Sequence, residues 1–391
     1  EIRTPIFEYE ALFTRSSGET SDIVSKEMYS FTDKGGRQLA LRPEGTAAAM
    51  RAFLEARLYH GTKQTKLFYM GPFFRHDRPQ AGRYRQFHQC GIESIGSHSP
   101  EVDIEIIDFT CHFLATLGLD SLTVSLNSVG TPETRVAYTK ALIDYLTPYQ
   151  ADLSPDSKER LKTNPLRILD TKEAHERKIV EGAPHIIDSL DTRGRDHFEA
   201  VCSGLAALGR DYRLNHTLVR GLDYYTDTVF EITSGSLGAQ NAIAGGGRFD
   251  GLIKALGGPD TPACGMSLGI ERLILALLSS TPFKATPAPL TALLIPLGSK
   301  ARGALIPLLY QLRHAGIAAD ISSAKKIGDG LKEASNKGAF YAIIAGDEEL
   351  ANETVQLKNL ESRETISVPQ RDIITHITTD GPCTEATFRT T

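Results

Sequence analysis

Short apolar runs, and in places an alternation of apolar and polar positions, mark strands along the chain. Residues 67–74 (LFYMGPFF) form an aromatic and apolar run that reads as a strand. Residues 86–96 are its natural partner, and the polar piece 79–82 joins them into a hairpin with a charged, mobile tip. Residues 121–128 put Leu122, Val124 and Leu126 on one face, and residues 229–233 and 242–246 supply further short strands. In residues 266–278, Met266, Ile270, Leu273, Ile274 and Leu277 recur at helical spacing, which predicts an amphipathic helix. From 131 to 215 charged segments rich in Leu and Ala, such as 156–163 and 192–208, predict a mostly helical module inserted into the strand-rich part. Pro282, Pro287 and Pro289 fix the backbone and remove donors, so a linker and a domain boundary are expected there. Beyond it, strand-like segments at 292–297, 317–321, 341–345 and 355–358 alternate with helix-like ones at 301–315 and 327–337. That order predicts a small α/β domain with a partly parallel sheet.

With 391 residues, 41% of them hydrophobic, the chain is long enough for one large mixed core and a smaller domain. Its net charge of -5 excludes nucleic-acid binding by bulk electrostatics, so any such contact must come from a local patch. The five cysteines, Cys90, Cys111, Cys202, Cys264 and Cys383, contain no CxxC pair. This argues against a disulfide framework and a thiolate zinc site, and fits a reducing cytoplasm. Neither a membrane-spanning apolar run nor a secretory leader is visible, so a soluble protein is expected. The chain begins at Glu1 in what reads as the middle of an ordered element, which points to a preceding N-terminal segment. The tail 380–391 has little periodicity and is expected to fray.

Several constellations could carry chemistry. Residues 75–88 (RHDRPQAGRYRQFH) hold four arginines against one aspartate, a local patch suited to anions, with Phe87 offering a flat face for stacking. A solvated hairpin tip would look the same. In LRPEGT, residues 41–46, a proline-fixed turn places Glu44 beside Thr46, an acceptor beside a hydroxyl suited to an ammonium group, although it is also an ordinary turn. Gln89 and Glu93 lie four apart on one strand and so share a face. In LVRGLDYYTDTVFE, residues 218–231, Arg220 stands between apolar residues. It is either one half of an ion pair with Asp223 or a fixed cation aimed at a phosphate. GGGRFD at 245–250 permits close backbone approach but matches neither a P-loop nor a dinucleotide fold. GMSLGIER at 265–272 leads into a helix and ends on Arg272.

In order and spacing these pieces resemble the class II aminoacyl-tRNA synthetases. IRTPIF (2–7, with Pro5) is similar to the end of motif 1, residues 74–93 to motif 2, and residues 265–272 to motif 3. LVRGLDYY and GGGRFD are similar to the two histidine-specific motifs of the histidyl-tRNA synthetase family, and the likeness runs from residue 1 to about residue 377. The resemblance implies an α+β catalytic core, a six-stranded antiparallel sheet with helices, interrupted by a helical insertion and followed by a C-terminal α/β anticodon-binding domain. The expected bounds are 1–130 and 216–282 for the core, 131–215 for the insertion, 283–290 for the linker, 291–379 for the anticodon-binding domain and 380–391 for the tail. It further implies histidine, ATP with magnesium on its pyrophosphate side, and tRNA(His) as substrates, no metal site of the protein's own, and a homodimer built on motif 1.

By the same resemblance, Arg75 and Arg220 are the catalytic cations. Arg75, Asp77, Arg83, Phe87 and Arg272 are implied to hold ATP, with Phe87 and Arg272 sandwiching the adenine. Glu44, Thr46 and Gln89 are implied to hold the backbone end of histidine, Arg220 and Tyr224 to line its pocket, and Glu93 with Tyr225 to read the imidazole nitrogens. Two positions depart from the family pattern: Asp77 stands where Glu is usual, and Phe249 where Tyr is usual. The rival from another class is the histidine-sensing regulatory subunit of ATP phosphoribosyltransferase, which keeps the core fold but generally lacks the C-terminal α/β domain. A synthetase-like module of a regulatory kinase is the other, and it would need an attached kinase domain.

Overall fold

The computed structural model describes residues 1–18, 21, 23–61, 63–235, 242–280 and 290–380. Pro282, Pro287, Pro289, the rest of the expected linker up to 289, Cys383 and the tail from 381 lie outside them. The chain forms two compact units, Glu1–Phe283 and Lys284–Thr391.

In the first unit, strands β1 (Phe7–Tyr9), β2 (Ser30–Thr32) and β3 (Gln38–Leu41) make a small antiparallel sheet with β3 in the centre. The main sheet comprises β4 (Thr65–Phe74), β5 (Gln86–Ile95), β6 (Leu122–Ser128), β7 (Tyr212–Leu214), β8 (Thr226–Ser234), β9 (Ala242–Arg248) and β10 (Ala263–Gly269). Its order is β4-β5-β10-β9-β8-β6-β7. The predicted hairpin is present, with Leu67 opposite Glu93 and Phe74 opposite Gln86. Every neighbouring pair is antiparallel except β6 with the short β7. The described sheet therefore has seven strands where six were expected, because β7 adds in parallel at its edge.

Alternation sorts this sheet into two faces. On β8, Val229 enters one core with Phe53, Phe73, Tyr138, Leu142 and Phe249, whereas Phe230 and Ile232 enter a second with Ile107, Leu114, Val201 and Leu273. Helices Thr46–Glu55 and Pro132–Leu146 cover the first face, and helices Pro100–Thr116, Thr192–Ala207 and Ile270–Ser280 the second. Both segments predicted as helical in the insertion are helices, Pro155–Thr163 and Thr192–Ala207.

The helix expected over 266–278 is corrected by the structure. Met266 belongs to β10, the helix starts at Ile270, and Ile274 is half exposed. The reason is tertiary: β10 is a central strand with small residues on the first face and Cys264, Met266 and Leu268 in the second core. A period of two was hidden by its glycines.

The second unit orders its strands β12-β11-β13-β14-β15: β11 (Ala292–Pro296), β12 (Ala319–Ile321), β13 (Tyr341–Ala345), β14 (Thr354–Asn359) and β15 (Thr365–Pro369). The first three are mutually parallel and the rest antiparallel, a partly parallel sheet as the alternation predicted, although β15 and the helices Asp347–Ala351 and Ile373–Asp380 were not foreseen. Among the described residues no helix is long and apolar enough to cross a membrane.

Candidate active site

The odd-numbered positions of β5 and β10 and the matching positions of β4 and β8 face the first core, and near its edge they line one cavity. Glu44, Thr46, Arg75, Asp77, Arg83, Phe87, Gln89, Arg220, Tyr224, Tyr225 and Arg272 all border it. Glu93 is the most deeply buried of the candidates, only 1% exposed, beside the cavity-lining Thr46 and Gly265.

At the deep end, the helix Thr46–Glu55 starts against two carboxylates. The Glu44 carboxylate accepts from the backbone N–H groups of Thr46 (2.7 Å) and Ala47 (3.0 Å), capping orphan donors of the first turn. The Thr46 hydroxyl donates to Glu93 Oε1 (2.8 Å), while Glu93 Oε2 is buried with no protein partner. Gly265, opposite Glu93 on β10, makes room for it: a Cβ there would lie 1.8 Å from Glu93 Oε2. Burial, reinforced by the neighbouring Glu44, pushes Glu93 well above the usual carboxylate range. Burial also raises Glu44, against the two backbone donors that hold it. Two carboxylates so placed form a site short of donors.

Around them stand three buried phenols. Tyr224 donates to Glu44 Oε2 at 3.5 Å, its ring 4.8 Å from that of Tyr225 and 5.6 Å from Phe249. Phe249 is 1% exposed among these rings, so the missing hydroxyl is replaced by apolar contact. Tyr69, which the sequence reading overlooked, lines the same space; its hydroxyl is buried with no hydrogen-bond partner, and it is wedged between Gly45 and Gly91. Gln89 reaches Ser267 Oγ at 3.5 Å and leaves its carbonyl oxygen buried and unpartnered.

The mouth of the cavity is cationic. Arg75 donates from Nε to the carbonyl of Pro43 (2.8 Å), and its guanidinium lies 5.3 Å from the Phe87 ring centroid. Arg272 is held flat by the carbonyls of Gly82 (3.1 Å) and Ala242 (2.9 Å). Burial lowers the pKa of both. Arg83 pairs with Asp77, so the shorter acid faces an arginine in this structure.

Arg220 is an ion pair, but not with Asp223: its Nη1 donates to Glu231 Oε2 at 2.9 Å. Glu231 lies on β8, eleven residues on, and also lines the cavity. Nε of Arg220 is buried and unpartnered, and Gly245 lets the guanidinium lie flat on β9, where a Cβ would fall 2.5 Å from Nη2. Burial pulls its pKa down, but Tyr225 and Glu231 outweigh this and leave it raised.

The chain matches the family model described as histidyl-tRNA synthetase over residues 1–273 and the one described as anticodon binding domain over residues 291–379. It is 48% identical to a histidine–tRNA ligase of Picosynechococcus sp. over 96% of this chain and 88% of that protein. It is 50% identical to one of Thermosynechococcus vestitus over 96% and 87%. The crystal structure of apo S. aureus histidyl-tRNA synthetase superposes with a TM-score of 0.77 at 36% identity, covering 96% of this chain and 90% of that one. A Bacillus halodurans structure titled as an ATP phosphoribosyltransferase regulatory subunit/histidyl-tRNA synthetase shares the fold, with a TM-score of 0.59 at 22% identity over 88% and 89%. The chain belongs to the histidyl-tRNA synthetase family.

Proposed function

We propose that this chain is a histidine–tRNA ligase whose cavity binds histidine at the Glu44, Glu93 and Tyr225 end and ATP at the Arg75, Phe87 and Arg272 end. The observation that carries this reading is a single cavity with a deep carboxylate–phenol end and a cationic mouth, bridged by Arg220. Glu44, Thr46 and Gln89 supply acceptors for the α-ammonium group. Imidazole presents two nitrogens in fixed geometry, and Glu93 with Tyr225 satisfies both, while an apolar analogue would leave buried polar groups unpaired. Such a mismatch gives discrimination on the order of 10⁴ to 10⁵. Adenine stacks between Phe87 and Arg272, Arg75 holds the α-phosphate, and Arg83 reaches the terminal phosphates once it leaves Asp77.

In the first half-reaction the histidine carboxylate attacks the α-phosphorus and pyrophosphate leaves. The second passes the acyl group to the terminal ribose of tRNA(His). Neither needs a protein nucleophile. Charge accumulates on the phosphate oxygens, so the protein's task is to hold substrates in line and offer preorganised cations, chiefly Arg75 and Arg220. Magnesium comes with ATP; of the carboxylates at the cavity wall, Glu231 is paired with Arg220 and Glu271 accepts from His88, so these two would hold it only on giving up those partners.

Exposed apolar residues support a homodimer. Ile6, Phe7, Tyr9 and Phe31 on the small sheet, and Phe68 and Met70 on β4, are 42–68% exposed. Ile2 N–H donates to Phe68 O, which brings the start of the motif 1 segment beside β4. The unbonded cysteines Cys90, Cys111, Cys202 and Cys264 fit a cytoplasmic location. Charging of tRNA(His) with labelled histidine tests the function directly; a protein that binds histidine but neither forms the adenylate nor charges tRNA would instead be a sensor.

A further inference from the structure

The tyrosine pair stands on a loop, and side chains of the insertion hold that loop. Tyr224 and Tyr225 lie between the Leu218–Arg220 stretch and β8, outside any strand. Arg135, on the helix Pro132–Leu146, sends Nη1 to the carbonyl oxygens of both Asp223 (3.1 Å) and Tyr225 (2.9 Å). Asn164 donates from Nδ2 to Asp223 Oδ1 (3.1 Å). Arg193, on the helix Thr192–Ala207, donates to Asp227 Oδ2 (3.0 Å).

The position gripped by Arg193 is unusual. Asp227 has a φ of 46°, a left-handed conformation that side-chain-bearing residues rarely adopt, and it is 2% exposed. It falls within a register shift of β8 against β9 between Thr226 and Val229. The regular pairing is thus interrupted two residues after Tyr225. Such a conformation persists only where its surroundings over-determine it. Those surroundings are the Arg193 pair and backbone bonds from Asp227 N to Gly130 O (3.1 Å) and from Val129 N to Asp227 O (2.7 Å).

We propose that Arg135 is a positioning residue for histidine recognition: with Asn164 and Arg193 it clamps the tyrosine loop, so that the insertion sets the geometry of the histidine end of the cavity. A cation bonded to two carbonyls of one loop fixes the orientation of the peptide planes between them, and the Tyr224 and Tyr225 side chains leave the backbone there. At the ATP end Arg75 and Arg272 are held instead by the carbonyls of Pro43, Gly82 and Ala242, none of them in the insertion. This proposal rests on the reading that Tyr225 contacts the substrate imidazole.

The test is ATP–pyrophosphate exchange by the full chain, with histidine and ATP titrated separately. Arg135→Ala is expected to raise the KM for histidine about tenfold or more while leaving the KM for ATP within about twofold, and Arg135→Lys to recover part of the loss. Unchanged histidine KM in folded Arg135→Ala, or both constants rising in proportion, overturns the clamp. If circular dichroism shows Arg135→Ala unfolded, Arg193→Ala decides: about a threefold rise in histidine KM alone supports the proposal, and no rise overturns it. Tyr225→Phe separates the two readings. Should it leave histidine KM untouched, the assignment of the pocket fails; should it act while Arg135→Ala does not, only the clamp fails.

Discussion

Arg220 joins the two ends of the cavity, and its chemistry follows from where its charge is held. Paired with Glu231 through one nitrogen and leaving Nε unpartnered, it keeps hydrogen-bonding capacity for a substrate in a buried setting. Arg220→Ala should lower the single-turnover rate of adenylate formation by roughly 10² to 10³, as for loss of one preorganised donor; an unchanged rate would remove it from catalysis. Glu93 makes the opposite kind of prediction. Its pKa is raised by burial, so the unfolded chain releases its proton at lower pH than the folded one. Stability is therefore greatest below the ordinary carboxylate value and is lost as pH rises through the raised one. Glu93→Gln should stabilise the substrate-free protein at pH 7 by on the order of 1 kcal/mol while abolishing histidine activation, with the gain vanishing near pH 4. Thermal melts at the two pH values check this. Arg220 was legible in the sequence because a guanidinium among apolar neighbours demands a reason, but its partner was not. Asp223 is nearer along the chain, whereas Glu231 reaches Arg220 from β8. Tyr69 was missed because every aromatic in LFYMGPFF looks alike until strand pairing assigns it a face.

At the scale of elements, the glycines of β9 and β10 do what no side chain could. Gly245→Ala would put a methyl 2.5 Å from the Arg220 guanidinium, the movable end of a long side chain. The variant should fold with a melting temperature within about 3 °C of the parent, since the neighbour can shift, yet lose adenylation by about tenfold or more. A large loss of stability instead would show that the strand, and not the arginine, needs the glycine. Apolar runs and alternation revealed five strands of the main sheet, β4, β5, β6, β8 and β9, whereas helices such as Thr46–Glu55 and Pro100–Thr116 were not read from the sequence. Alternation failed at β10, where glycines and a serine on one face erased the contrast and the following helix lent its own period to Met266. The α/β alternation of the second unit was plain because its strands β11 and β13 are buried throughout. β15 was hidden because it is mostly exposed.

At the scale of the whole molecule, Phe7, Tyr9, Phe68 and Met70 are large apolar side chains left about half or more exposed, which supports a partner covering them. Sedimentation should find a dimer, and Phe68→Asp with Met70→Asp should shift it to monomer; an unmodified chain that sediments as a monomer would contradict that assignment. The order of motifs made the family recognisable from the sequence, whereas the grip of the insertion on the tyrosine loop needed the fold, since it joins residues some 90 positions apart. What separates a ligase from a histidine sensor on the same fold is chemistry at the α-phosphate. The most direct measurement is histidine-dependent exchange of labelled pyrophosphate into ATP. The account predicts exchange that requires histidine and falls with Arg220→Ala; histidine binding without exchange would contradict it.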